Sequence, residues 1–244
     1  AQQITRQIRS PAHLRVIPPR LKQSDFSGLG VVLEAGDLGE VAAVHMVPEE
    51  MVREQIRAVA SDIPPDAVKT GMLASAALVE TVARAIDEHR LPNYVLDPVM
   101  ISTSGQRLLD REAEDTIRRE LIPLAAVVTP NLHEARILTG LRVEAPGDLA
   151  DAARAILDLG ARAALVKGGH LEGDEAVDLL LSEEGEHVWS RPRISTAAGH
   201  GTGCTLSAAL AAGLAAGRPL ADAAAAAVDF VARALADAPG LGAG

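Results

Sequence analysis

Residues 125–169 read AAVVTPNLHEARILTGLRVEAPGDLADAARAILDLGARAALVKGG. The stretch opens on a short apolar run that Pro130 stops. A brief helical pattern, HEARILTG, follows and closes at Gly140. A second helical pattern, GDLADAARAILDLG, is capped at its start and stopped by Gly160, and the apolar run AALVKGG comes next. Two apolar runs joined through helices make a βαβ unit, whose strands are parallel and covered on both faces.

The same alternation extends outward. Upstream, VPEEMVREQIRAVASDI (47–63) predicts an amphipathic helix with Met51, Val52, Ile56 and Val59 on its apolar side, and ASAALVETVARAIDEHR (74–90) predicts another. NYVLDPVM (93–100) reads as a strand and EDTIRRELIPLA (114–125) as helical. Downstream, AVDLLLSEEGEHVWS (176–190) places strand-like runs on either side of a polar turn, the pattern of a β-hairpin. Two alanine-rich helices separated by GRP finish the chain. The expectation is an α/β fold with a mostly parallel sheet, in one domain spanning residues 1–244.

Composition narrows the function. Aromatic residues are only 2% of the chain although 48% is hydrophobic, so Ala, Leu, Val and Ile must build the core. A net charge of −10 without a basic run argues against nucleic acid or an anionic membrane as partner. The single cysteine excludes an intrachain disulfide and a cysteine-based zinc cluster, and fits a reducing cytoplasm. No apolar run reaches the roughly 18 residues of a membrane span, and residues 1–21 lack the apolar core of a signal peptide.

In sheets of this kind ligands bind beyond the carboxyl ends of the strands. That rule singles out Asp97-Pro98, Thr129-Pro130-Asn131 and Lys167-Gly168-Gly169, which should converge on one rim. In HGTGC, Gly201 and Gly203 let backbone amides approach a ligand, with Thr202 between them and unpaired donors at the helix that begins near Cys204. Such a turn suits the charge on a transferring phosphoryl group. Cys204 is either a thiol of lowered pKa at a helix start or a small packed residue. Asn131 and Glu134 either face Mg²⁺ together or form a capping box. Lys167 is either a phosphate contact or a solvated lysine, and KTGML (69–73) either lines a substrate or enters a helix. The seven histidines show no metal-ligand spacing, and no P-loop motif is present.

Taken together, VKTGMLAS, VLDPVM, SGQRLL, VVTPNLHEA, VKGGHL and HGTGCTLSAALA, in this order and spacing, resemble the hydroxymethylpyrimidine/phosphomethylpyrimidine kinases of thiamine biosynthesis, members of the ribokinase-like superfamily. The resemblance covers Val44 to Gly240. It implies a three-layer α/β/α fold, a pyrimidine substrate, and ATP- and Mg²⁺-dependent phosphorylation of a hydroxymethyl group and then of its monophosphate. By that likeness Gly201, Thr202 and Gly203 cradle the transferring phosphate, and Cys204 stands where most of the superfamily has a catalytic aspartate. It could take the hydroxyl proton as thiolate or only contact the substrate. Asp97, Asn131, Glu134 and Lys167 match the nucleotide site, Asp97 and Glu134 the Mg²⁺ contacts, and Met72 and Val99 the pyrimidine wall. A cytoplasmic homodimer is the expected form. A pyridoxal-type kinase and an inactive nucleotide-binding relative are the alternatives.

Residues 1–43 depart from the family pattern. Either SDFSGLGVVLEA (24–35) answers the family's glycine-rich substrate loop, or DFSGLGV answers a later segment and the loop is gone. In both cases about twenty residues of the family's pyrimidine pocket are missing or rewritten.

Overall fold

The structure, a computed structural model, describes residues 47–101, 107–169, 171, 173–194, 196, 199 and 201–238. The two readings of residues 1–43 lie outside them, as do His200 and the start of SGQRLL. Among the described residues six strands form one sheet in chain order. β1 (Val68–Thr70), β2 (Tyr94–Leu96), β3 (Val127–Val128) and β4 (Ala163–Lys167) are parallel, and β5 (Glu175–Ser182) and β6 (Gly185–Pro192) continue antiparallel. Ser182 pairs with Gly185, so the hairpin turns on Glu183 and Glu184.

Alternation along the strands divides the core into two layers. Tyr94, Leu96, Val128, Ala164 and Val166 face α2 (Ala76–Glu88), α3 (Arg111–Thr116), α4 (Leu132–Thr139) and α5 (Asp148–Asp158). Val95, Val127, Ala163 and Leu165 face α6 (Thr202–Ala215) and α7 (Leu220–Ala236) on the other side. Residues on opposite faces follow one another because successive strand side chains point oppositely. The result is the expected three-layer α/β/α arrangement. Four parallel strands in chain order put their crossover helices on a single face, since such crossovers are right-handed. The two alanine-rich helices must therefore cover the other.

Two helical expectations change in detail. α1 (Glu49–Asp62) lies against α2, with Val52 and Ile56 half-buried, but Met51 is 53% exposed. It sits on the far side of the helix, where no described element covers it. The helical pattern over 114–125 begins earlier, at Arg111, and does not remain α-helical. It widens to a π-helix over Ile117–Leu121 and tightens to a 3₁₀ turn over Ile122–Leu124, where Pro123 cannot donate a backbone bond.

Candidate active site

The carboxyl ends of the parallel strands place three short segments side by side. Asp97 leaves β2 with its N–H bonded to the Thr70 carbonyl at 3.0 Å, and the Thr129 N–H reaches the Leu96 carbonyl at 2.9 Å. The Lys167 N–H reaches the Pro130 carbonyl at 2.9 Å, which sets Asn131 beside Lys167. The convergence expected of these turns is therefore present, and backbone ladders hold it.

Asp97 is the centre. It is buried, yet both its oxygens are occupied. Lys167 Nζ donates to Oδ1 at 3.0 Å and Thr129 Oγ1 approaches the same oxygen at 3.3 Å. Ser207 Oγ donates to Oδ2 at 2.9 Å, and Lys69 Nζ lies 3.5 Å from it. Burial works against the carboxylate's charge, but Lys167 and Lys69 outweigh it and hold the carboxyl below its ordinary value. Burial likewise opposes the Lys167 ammonium, and Asp97 and Glu134 beside it reverse the effect, raising its pKa. Both partners are charged at neutral pH.

Asn131 and Glu134 form a reciprocal cap at the start of α4. The Glu134 N–H donates to Asn131 Oδ1 at 2.9 Å and the Asn131 N–H to Glu134 Oε2 at 2.8 Å. Glu134 is itself buried, and that burial, aided by the charge of Asp97, pushes it up to about 7 despite nearby Lys167. The capping box is realised, and it stands beside Lys167.

Gly201, in the left-handed region at φ 78°, turns the chain into α6. No side chain caps this helix, so its first amides stay available to a ligand. Thr202 Oγ1 donates to the Gly199 carbonyl at 3.0 Å, tightening the turn. A Cβ at Gly203 would stand 3.0 Å from Lys167 Nζ, so the turn lies directly over the ammonium. Cys204 sits in the same cluster, within the influence of Lys69, Asp97 and Lys167. Its thiol does not have the lowered pKa expected of a helix start. Burial raises it, Asp97 adds to the rise, and the two lysines do not compensate. The thiol keeps its proton at neutral pH.

The expected Mg²⁺ contacts fit unequally. Asp97 directs its oxygens to two ammonium groups and two hydroxyls, and among the described residues no three His, Cys, Asp or Glu side chains gather as a metal site. Mg²⁺ is commonly held by one or two carboxylates together with substrate phosphates and water. Glu134 suits that arrangement better than Asp97. The Cβ position of Gly71 lies 3.1 Å from Lys69 Nζ and 3.9 Å from Val99 Cγ2, so Val99 stands beside the cluster, and Met72 follows Gly71 in the chain.

Sequence reading passed over Ser207 and gave Lys69 no charge role. Ser207 lies one helical turn beyond Gly203, the spacing that brings it back to the same face. Lys69 carries a visible signal: AVKTG ends an apolar run on lysine just as LVKGG does. Two supports were also missed. A Cβ at Gly168 would come within 2.0 Å of the Val177 carbonyl, and the Gly168 N–H donates to Asp178 Oδ1 at 3.1 Å. The Arg193 guanidinium donates to the carbonyls of Gly169, Leu171, Gly173 and Glu175, gathering the segment that follows Lys167.

Comparison with known proteins agrees with this geometry. A family model described as phosphomethylpyrimidine kinase matches residues 29–244. The hydroxymethylpyrimidine/phosphomethylpyrimidine kinase of Streptomyces coelicolor is 48% identical over 198 residues, covering 81% of this chain and 73% of that protein. The thiamine biosynthesis bifunctional protein ThiED of Geobacter sulfurreducens is 42% identical over 218 residues, and this chain spans 44% of its length. Among solved structures, phosphomethylpyrimidine kinase from Clostridium difficile superposes with TM-score 0.70 at 37% identity, covering 80% of each chain. Bacillus subtilis pyridoxal kinase in complex with ADP superposes with TM-score 0.73 at 37% identity, covering 79% of this chain and 72% of that one. With its site at the ends of parallel strands and this match over most of its length, the chain belongs to the phosphomethylpyrimidine kinase family, phosphotransferases of ribokinase-like fold.

Proposed function

We propose that the chain uses ATP to phosphorylate 4-amino-5-hydroxymethyl-2-methylpyrimidine and then its monophosphate, a step of thiamine biosynthesis. The observation that carries the reading is Lys167, ion-paired to Asp97 and lying beneath the Gly201–Gly203 turn. A cation and a set of free amides face the same point, which is what a phosphoryl group in flight requires.

In this reading the amides at Gly201–Cys204 bind the transferring phosphoryl oxygens and Lys167 neutralises nucleotide phosphate. Asp97 is the fixed anion that keeps Lys167 charged and in place, with Ser207 and Thr129 holding the carboxylate still. Mg²⁺ would be held by Glu134 together with the nucleotide phosphates, where it would offset their charge. Met72 and Val99 pack against the pyrimidine ring. Cys204 meets the acceptor as a neutral thiol. A loose phosphoryl-transfer transition state asks for position and charge more than for a strong base, so a protonated thiol at this place is compatible with turnover.

A cytoplasmic homodimer belongs to the same proposal. The lone cysteine suits a reducing compartment, and no described helix is long and apolar enough to cross a membrane.

The deciding experiment measures ATP consumption with the pyrimidine alcohol, its monophosphate and pyridoxal in parallel. Pyridoxal belongs in the set because pyridoxal kinases superpose as well as the pyrimidine kinase does. Turnover of the pyrimidines is expected. Turnover of pyridoxal alone, or nucleotide binding without turnover, would overturn the reading.

A further inference from the structure

The mechanism above leaves one buried cation without a task. Lys69 lies in β1, one residue before its end, on the opposite side of Asp97 from β4 and Lys167. Its side chain is only 4% exposed, and its recorded ion pair is the 3.5 Å contact with Asp97 Oδ2, on a carboxylate that already serves Lys167. One carboxylate cannot cancel two ammonium groups. Among the described residues Asp97 is the ion-pair partner of both lysines, and neither Glu134 nor Cys204 lies in an ion pair with Lys69. A buried, under-compensated charge is costly unless a ligand matches it.

The surroundings of Lys69 show where that ligand would lie. A Cβ at Gly71 would stand 3.1 Å from Lys69 Nζ and 3.9 Å from Val99 Cγ2. The absent side chain lets the ammonium pack close against Gly71, beside Val99 on the expected acceptor side. Lys167 bears the same relation to Gly203 on the phosphoryl side, at 3.0 Å. Each lysine thus packs against its own glycine, Lys69 beside Val99 and Lys167 at the start of α6.

We propose that Lys69 forms a binding subsite for a phosphomonoester on the acceptor. This rests on the kinase reading above and deepens it. The alcohol acceptor is neutral and does not need Lys69's charge. Its monophosphate carries close to two negative charges near pH 7, and these must approach the γ-phosphate of ATP. Lys69 offsets that repulsion. In the second transfer an oxygen of the acceptor phosphate forms the new bond to the γ-phosphorus. The bond from that phosphorus to the β,γ-bridging oxygen breaks, and its electron pair leaves on ADP. A dianionic acceptor gives up no proton, so the step needs a cation rather than a base.

The test compares KM for the alcohol and for the monophosphate in the wild type, Lys69→Met, Lys69→Gln and Lys69→Arg. Loss of a charge-assisted contact should raise the monophosphate KM at least about ten-fold more than the alcohol KM in the two neutral variants. Arginine should keep the wild-type ratio to within about three-fold, because it retains the charge. Equal shifts for both substrates, or arginine behaving like methionine, would overturn the subsite. A variant-free readout covers failure to fold. With ADP bound, the monophosphate should raise the wild-type melting temperature more than the alcohol at the same concentration, and an equal or smaller rise rejects the proposal. A wild type that turns over neither pyrimidine rejects the kinase reading itself. A wild type that uses the alcohol but not the monophosphate rejects the subsite and the second transfer, and leaves the first transfer standing.

Discussion

Lys167 and Asp97 are 70 residues apart in the chain, and their charged atoms meet at 3.0 Å. The pair ties β4 to the end of β2, two strands away, and no other carboxylate makes an ion pair with either lysine of the cluster among the described residues. Replacing Asp97 by Ala therefore leaves two buried ammonium groups without an ion-paired carboxylate. Removing one member of a buried pair typically costs about 3–5 kcal/mol. Chemical denaturation should show a loss of that size, partly restored by nucleotide. Asp97→Asn keeps the shape and should lower kcat/KM by about a hundred-fold, in line with loss of a preorganised electrostatic contact.

The thiol at Cys204 gives a second test. A general base contributes about 10²- to 10⁴-fold to a proton-transfer step, and burial has raised this thiol so that it stays protonated. Cys204→Ala should thus reduce kcat by less than about ten-fold, and the pH–rate profile should keep its shape above neutrality. A loss of a thousand-fold, with an alkaline limb abolished by the substitution, would show the thiolate acting as base after all.

The sequence discloses the architecture more readily than the charges. The βαβ alternation, the hairpin turn at Glu183-Glu184 and the Asn131–Glu134 cap all depend on residues near one another in the chain, and each stands as read. Convergence of Asp97, Asn131 and Lys167 follows from one rule about strand ends. What stayed hidden depends on neighbours that local pattern does not disclose. Cys204 stands at a helix start, which favours the thiolate, but the desolvation that wins comes from packing. Lys69 lies one residue before the end of β1 and Lys167 ends β4, and only three-dimensional proximity makes both share Asp97. The change to π-helix at Ile117 leaves the apolar spacing almost unaltered and so gives no sign in the sequence.

Glu134 predicts a pH dependence with a definite sign. Its native pKa of about 7 lies above the ordinary 4.5, so between these values the folded chain binds a proton that the unfolded chain has released. Stability from this group is complete below the unfolded value and is lost as pH rises through the folded one. Melting temperatures of the wild type should fall, relative to Glu134→Gln, from about pH 5 to about pH 8. In the proposed mechanism, binding of Mg²⁺ and nucleotide would favour the ionised carboxylate. Calorimetry in buffers of different ionisation enthalpy should therefore detect proton release at about pH 6.5 that is absent in Glu134→Gln.

The last test concerns Arg193, whose guanidinium gathers four backbone carbonyls between Gly169 and Glu175. That segment follows Lys167 directly, and Gly168 beneath it is fixed by its bond to Asp178 and by the absence of room for a Cβ against Val177. With Lys167 on the nucleotide as proposed, Arg193 would act on the nucleotide through the backbone. Arg193→Ala should free the segment without disturbing the Asp97–Lys167 pair. The expected outcome is a rise in KM for ATP of about five- to ten-fold, the size of one or two charge-assisted hydrogen bonds spread over a loop, with a smaller fall in kcat. Lysine in its place offers one point charge where the guanidinium presents a planar fork, so it should recover only part of the loss. Equal loss in kcat and unchanged KM for ATP would mean that the segment does not touch the nucleotide.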